Sequence, residues 1–228
     1  MNRTLQILFV LLFSLVLMSC KKEETTQPPS NNAPGLVAYY PFNGSAYDAC
    51  GNGYFVTVEG ATLTSDRFNE SSKAYNFDGI DDRITINYIN FALRNNLTVS
   101  LWTKVPQQDL QYFVMCSYFG VFSMSNTVGL AISLPQTNAA EGQIAYDTWI
   151  HFIGTYDGTT IKAYINGELK DTTTWIGNIA DTTRPLIFGN FDTGTYNYFW
   201  RGILDDVRIY NRVLSENEIL QLYHEGGW

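Results

Sequence analysis

Carboxylates are the side chains of this 228-residue chain best placed to do chemistry. Asp205 and Asp206 stand in the run Gly202-Ile203-Leu204-Asp205-Asp206-Val207-Arg208-Ile209-Tyr210. The two-residue period of a strand puts Ile203, Asp205, Val207 and Ile209 on one face and turns Asp206 to the other. Three of those four are apolar, so the face is expected to be buried. A carboxylate there must be paired, protonated or bound to a cation. Glu216 and Glu218 form a second pair at the start of a predicted helix, where acids complement the helix dipole. Asp78, Asp81 and Asp82 flank Gly79 but lack the alternating acids and closing Glu of an EF-hand loop, and they read as a solvated turn.

Other catalytic equipment is sparse. The chain has two histidines. His151 lies between Ile150 and Phe152 in a predicted strand, and His224 is close to the C-terminus. There is no Gly-x-Ser-x-Gly elbow and no His-Glu-x-x-His zinc motif, so no enzymatic activity is expected. A formal net charge of −8 argues against a nucleic-acid backbone as partner. Aromatic residues make up 15% of the chain. They suit strands, and exposed rings suit sugar faces or protein interfaces. Tyr112, Phe113, Tyr118, Phe119 and Phe122 cluster mid-chain, and Tyr196, Tyr198, Phe199 and Trp200 cluster before the last strand. Core packing is the simpler fate at alternating strand positions. Trp175 follows Thr172-Thr173-Thr174 and is the ring most expected at the surface. Trp175, Tyr196 and Tyr198 are therefore the candidate ligand-binding residues.

The elements that position these groups are short strands punctuated by turns. Leu36–Phe42, Leu97–Trp102, Val128–Leu134, Trp149–Tyr156, Ile161–Ile165 and Leu186–Gly189 read as strands, and Phe113–Phe122 as a strand and hairpin. Asn166-Gly167 is a strong hairpin signal. Ser215 and Glu218 make a capping box, with Leu214 placed to staple against Ile219. Ahead of the domain, Arg3 and the apolar run Leu5–Leu17 read as a secretion signal over residues 1–19, shorter than the roughly 20 apolar residues a membrane span needs. Leu17-Met18-Ser19-Cys20 resembles a bacterial lipobox, which implies lipid on the Cys20 sulfur. The polar stretch 20–34 then reads as a disordered tether, and residues 35–228 as one domain. Cys50 and Cys116 leave a disulfide open.

Five blocks occur in one order: Tyr40-Pro41-Phe42-Asn43-Gly44 with Asp48 and Gly51-Asn52-Gly53; Phe77-Asp78-Gly79 through Ile86; Trp149, His151 and Tyr156-Asp157-Gly158; Tyr164-Ile165-Asn166-Gly167; and the closing strand and helix from Gly202 to Tyr223. Together they resemble the laminin-G-like jelly rolls of the concanavalin A-like lectin/glucanase superfamily. The resemblance implies an all-β jelly-roll sandwich of two antiparallel sheets with a short C-terminal helix. It implies a structural Ca²⁺ where the first and last strands meet, with Asp205 as ligand and Asp48 and Asn43 beside it. The glucanase branch carries its acids on one strand as Glu-x-Asp-x-Glu, and no strand here has that pattern. The expectation is a non-catalytic binding lipoprotein, lipid-anchored at the outer membrane or cell surface, with a glycan as ligand. The alternatives are a protein-binding adhesin or accessory module and a divergent glycoside hydrolase.

Overall fold

The computed structural model describes residues 33–228, apart from 88–90, 92, 94, 109, 117–118, 133–137, 180–184 and 193–196. Seven strands form a continuous antiparallel path in the first sheet: β13 (Glu168–Thr174), β12 (Thr160–Ile165), β11 (Trp149–Tyr156), β6 (Leu97–Lys104), β17 (Arg201–Tyr210), β4 (Ala74–Asp78) and β3 (Thr62–Thr64). The eighth, β1 (Leu36–Tyr40), pairs with the far half of β17, so the first and last strands do meet. The second sheet runs β10 (Asn138–Gln143), β9 (Thr127–Ile132), β8 (Phe119–Met124), β7 (Gln111–Cys116), β14 (Leu186–Phe188), β5 (Arg83–Asn87) and β2 (Phe55–Glu59). β15 (Asn190–Asp192) and β16 (Asn197–Phe199) pair antiparallel as a separate two-stranded sheet that lies against β7.

The inner faces carry the apolar half of each alternation. Val99 and Leu101 of β6, Ile150 and Phe152 of β11, and Leu204, Val207 and Ile209 of β17 share one buried cluster with Val114, Val121, Leu130 and Phe188 of the facing sheet. At one close approach of the two sheets the chain has no side chain to offer: a Cβ on Gly154 would lie 2.6 Å from the Cβ of Leu130. The outer face of the first sheet is also covered. Helix α1 (Glu216–Tyr223) lays Ile219 and Leu222 against Ile153, Tyr164 and Tyr210. Its start follows from sequence. The Ser215 hydroxyl accepts from the Glu218 amide, the Glu218 carboxylate accepts from the Ser215 amide, and Leu214 joins Ile219 in the same cluster. Arg212 binds the same carboxylate at 2.6 and 2.9 Å, and this bond above all holds Glu218 down at about 2.

One local feature overturns a strand assignment made from sequence. Between Asp205 and Arg208 the pairing of β17 with β6 shifts: Asp205 opposes Trp102, and Arg208 opposes Ser100. Asp206 sits at φ +48°, a left-handed conformation that few side chains adopt. This β-bulge resets the two-residue period. Leu204 points inward, Asp205 points to the outer face beside Trp102, and Val207 and Ile209 point inward again. Asp205 therefore does not share a face with Val207 and Ile209, and it is buried under the C-terminal tail instead of in the core.

Candidate functional site: a buried charge cluster and the cleft above it

The bulge brings both carboxylates to one cation. Nη1 of Arg67 donates to Oδ2 of Asp205 at 2.9 Å and to Oδ2 of Asp206 at 2.8 Å. Asp205 and Asp206 thus converge, against the expectation that adjacent strand residues diverge. Arg67 is delivered by a turn that Asp66 closes, its Oδ1 accepting from the amides of Phe68 and Glu70. The guanidinium lies 4.6 Å from the ring centres of both Phe68 and Trp102. Asp206 also accepts from the Tyr39 hydroxyl at 2.6 Å and faces Arg208 at 3.8 Å. Arg208 pairs with Glu225 at 2.8 Å and covers the Tyr39 ring. First strand, Arg67 turn, last strand and C-terminal tail are knitted through one buried network.

The electrostatics follow from burial and partners. Removal from water, with the neighbouring Asp206 charge, holds the Asp205 carboxyl well above the usual carboxylate range. Burial also works against Asp206, but Arg208, Arg67 and the Tyr39 hydroxyl outweigh it and keep that group ionised. His151 is held neutral: burial, then Arg208 and Arg67, push it down to about 3. Its Nε2 pairs with the Ser100 hydroxyl at 2.9 Å and its ring stacks on Trp102. Asp206 and His151 thus keep their protonation states through neutral pH, while Asp205, raised to about 8, is the group of the three that titrates near it. A cleft of about 390 Å³ opens over the network, lined by Tyr39, Asn43, Glu70, Lys73 and the two aspartates among others.

The residues expected to hold calcium do not fit that ion. Asn43 and Asp205 line the cleft, but the Asp48 oxygens accept from the amides of Tyr39, Cys50 and Asn52 and from the Asn52 side chain, closing their own turn. Calcium needs about 6–8 oxygens. Here Asp205 gives Oδ1 to the Asp206 amide and Oδ2 to Arg67, so a guanidinium supplies the positive charge. Asp78, Asp81 and Asp82 do draw together, but Asp82 accepts from the Asp78 amide and Asp78 from the Ile80 amide, as a self-closed turn requires. Cys50 and Cys116 are not joined in a disulfide, and burial first, then Asp48, pushes Cys50 up to about 12.

The aromatic candidates separate. Trp175 is half-buried, not exposed: its ring centre lies 5.2 Å from that of Tyr156, whose hydroxyl bonds both backbone groups of Gly177 and folds the segment back. Tyr198 is 43% exposed and stacks on Phe191. Tyr196, like Cys20, falls outside the described residues. Trp200 is fully buried, as are or nearly are Tyr112, Phe113, Phe119 and Phe122. Sequence reading missed Arg67, which sits in a loop without periodicity. It missed Arg208 as well, although an arginine between Val207 and Ile209 calls for a buried counter-charge once both faces of the strand are covered.

Two face-to-face antiparallel sheets, closed by the pairing of first and last strands and capped by one C-terminal helix, define a lectin-type jelly roll. The chain belongs to the laminin-G-like family of the concanavalin A-like lectin/glucanases superfamily, which matches residues 78–220, more than half of its length. Among solved structures it is similar to the receptor binding domain of botulinum neurotoxin C/D mosaic serotype, at 16% identity and a TM-score of 0.69 over 86% of this chain and 52% of that one. It is similar to the binding domain of Paraclostridial Mosquitocidal Protein 1, at 19% identity and a TM-score of 0.67 over 83% of this chain and 52% of that one. The chain thus spans about half of these domains, and at such identity the likeness is one of fold. A 155-residue stretch is 24% identical to adhesion G-protein coupled receptor V1 of Danio rerio, covering 57% of this chain and 2% of the receptor.

Proposed function

We propose that the chain is a non-catalytic binding module, exported and held at the outer membrane or cell surface by lipid on Cys20, with carbohydrate as its ligand. One observation carries the choice of binding over hydrolysis. The carboxylate pair that the last strand brings together is engaged internally by Arg67, so neither member is free to flank a glycosidic bond. Carbohydrate is supported by the superfamily, whose description joins lectins to glucanases, and by a composition rich in rings that can stack on sugars. The test is a glycan array probed with the detergent-solubilised full chain, alongside an assay for reducing-sugar release. Binding to printed oligosaccharides with no sugar release is expected. Release of sugar would overturn the non-catalytic reading.

The anchor rests on the apolar run that ends at Leu17-Met18-Ser19-Cys20 and on the polar 20–34 tether behind it. Mass spectrometry of the native protein is expected to find a mature N-terminus at Cys20 carrying acyl chains. Cleavage elsewhere, or an unmodified cysteine, removes the membrane from this account. A protein ligand is the second reading. It is favoured by a similar toxin binding domain solved in complex with rat synaptotagmin II, with 14% identity and a TM-score of 0.64 over 83% of this chain and 51% of that one. An array without a single bound glycan would favour it.

A further inference from the structure

A second cleft, of about 480 Å³, lies between the β10–β11 connection, the β12–β13 hairpin and the end of α1. We propose that this cleft, and not the one over Arg67, is the carbohydrate site, taking a single hexopyranose against Trp149. The inference rests on the carbohydrate reading above.

The two clefts differ in what their polar groups already do. Over Arg67 the charged groups of the floor are paired with one another. In the second cleft several are uncommitted. The Gln143 side chain is exposed, and among the described residues no hydrogen bond engages it, the indole N–H of Trp149 or the Tyr223 hydroxyl. Asn166 uses its Oδ1 to accept from the His151 amide, which leaves its amide nitrogen toward the cleft residues. Lys170 and Glu168 pair at 2.6 Å at an exposed position on the same rim. Uncommitted donors and acceptors around an aromatic wall match the two faces of a pyranose. Its C–H face packs on a ring, and its hydroxyls both give and take hydrogen bonds. The volume falls within the roughly 300–1,000 Å³ of small-molecule sites.

The walls are held before any ligand arrives. Trp149 begins β11 with the same outward parity as His151 and Ile153, and it pairs with Lys104 of β6. The connection that carries Gln143 and Ile144 is tied down at both ends: the Ile144 amide donates to the Asn126 carbonyl, and the Asp147 amide to the Val105 carbonyl. Asn166 and Gly167 take positive φ, as a two-residue hairpin turn demands. That turn is set against α1 so closely that a Cβ on Gly167 would lie 2.8 Å from Leu220. Tyr223 is fixed from behind by stacking on Trp102 and His151. A site built this way loses little freedom on binding.

The experiment probes an array of galactose-, glucose-, mannose- and sialic-acid-terminated oligosaccharides with the detergent-solubilised full chain and with Trp149→Ala and Gln143→Ala. Circular dichroism checks that each variant is folded. Gln143→Ala is the safeguard, because an exposed side chain without partners can be removed without touching the fold. The best-bound oligosaccharide is then titrated into ¹⁵N-labelled protein, with the Trp149 indole signal assigned from its absence in Trp149→Phe. The expected result is binding by wild type, a loss of about tenfold or more in Trp149→Ala, as truncation of an anchor ring gives, a measurable loss in Gln143→Ala, and a shift of the Trp149 indole signal. If wild type binds but both variants bind equally well and the indole signal stays in place, the cleft is wrong and the carbohydrate reading stands. If wild type binds none of the printed glycans, the carbohydrate reading fails and this site fails with it.

Discussion

Arg67→Met should destabilise the domain by on the order of 3–5 kcal/mol, the cost of leaving buried charge uncompensated. Arg67 and Asp205 are each no more than 4% exposed at the side chain, and Asp206 is 13% exposed. Methionine fills much of the stem's volume and keeps the contact with Trp102, so the loss reports the charge. The carboxylates would be left with Arg208 alone, at 3.8 Å from Asp206 and already paired with Glu225. At about 2–4 °C per kcal/mol for a domain of this size, thermal unfolding should fall by roughly 10 °C or more. Adding Asp206→Asn to Arg67→Met should recover part of the loss, since Asp206 is the carboxylate kept ionised and a neutral amide needs no counter-charge. The cation that joins the first and last strands here is covalently part of the chain, so this junction asks for no metal. Chelation is therefore expected to leave the wild-type melting curve unmoved. A rise of several degrees on adding Ca²⁺ would mean that Asp205 answers to a metal after all.

That network marks the boundary of what the residues disclose in one dimension. Strands with clean alternation, such as Leu97–Lys104 and Trp149–Tyr156, are legible because one face of each is committed to the core. The capping box at Ser215 and the Asn166-Gly167 turn are legible because their chemistry is local. The outer strands β2, β3 and β13 are not, since their burial is slight and their pattern correspondingly weak. Asp205 was correctly read as a buried acid needing a partner, but for the wrong face. A bulge at Asp206 costs one residue of register, and nothing in Leu204-Asp205-Asp206-Val207 announces it. The partner, Arg67, is 138 residues away. Only the fold could select it over the calcium ion that the family resemblance supplied. Asp48 illustrates the converse. It was read as a ligand at long range, and its oxygens serve amides within nine residues.

The aromatic run before the last strand gives near neighbours opposite fates, because Trp200 falls in the break between β16 and β17 and turns into the core there, and Trp200→Ala is the change that exposes it. Trp200 is fully buried, its ring stacked on Phe113 at 4.6 Å between centroids and tilted 19°, with Phe77 at 5.6 Å. Its backbone amide donates to the Gly189 carbonyl, which fixes the entry into β17. A Cβ on Gly202 would lie 2.3 Å from the indole, so the glycine two residues on exists in contact with the ring. Deleting the ring leaves a cavity among β4, β7 and β17 that these paired strands cannot close without breaking register. The expected loss is about 3–5 kcal/mol, as for buried aromatics in general. Trp200→Phe should cost less, because the indole N–H has no hydrogen bond to lose. Tyr198, two residues earlier and 43% exposed, should tolerate alanine within about 0.5 kcal/mol. Urea unfolding of the three variants beside wild type measures all of this in one series. A Trp200→Ala protein as stable as Tyr198→Ala would mean that the ring does not hold the two sheets together where β17 begins.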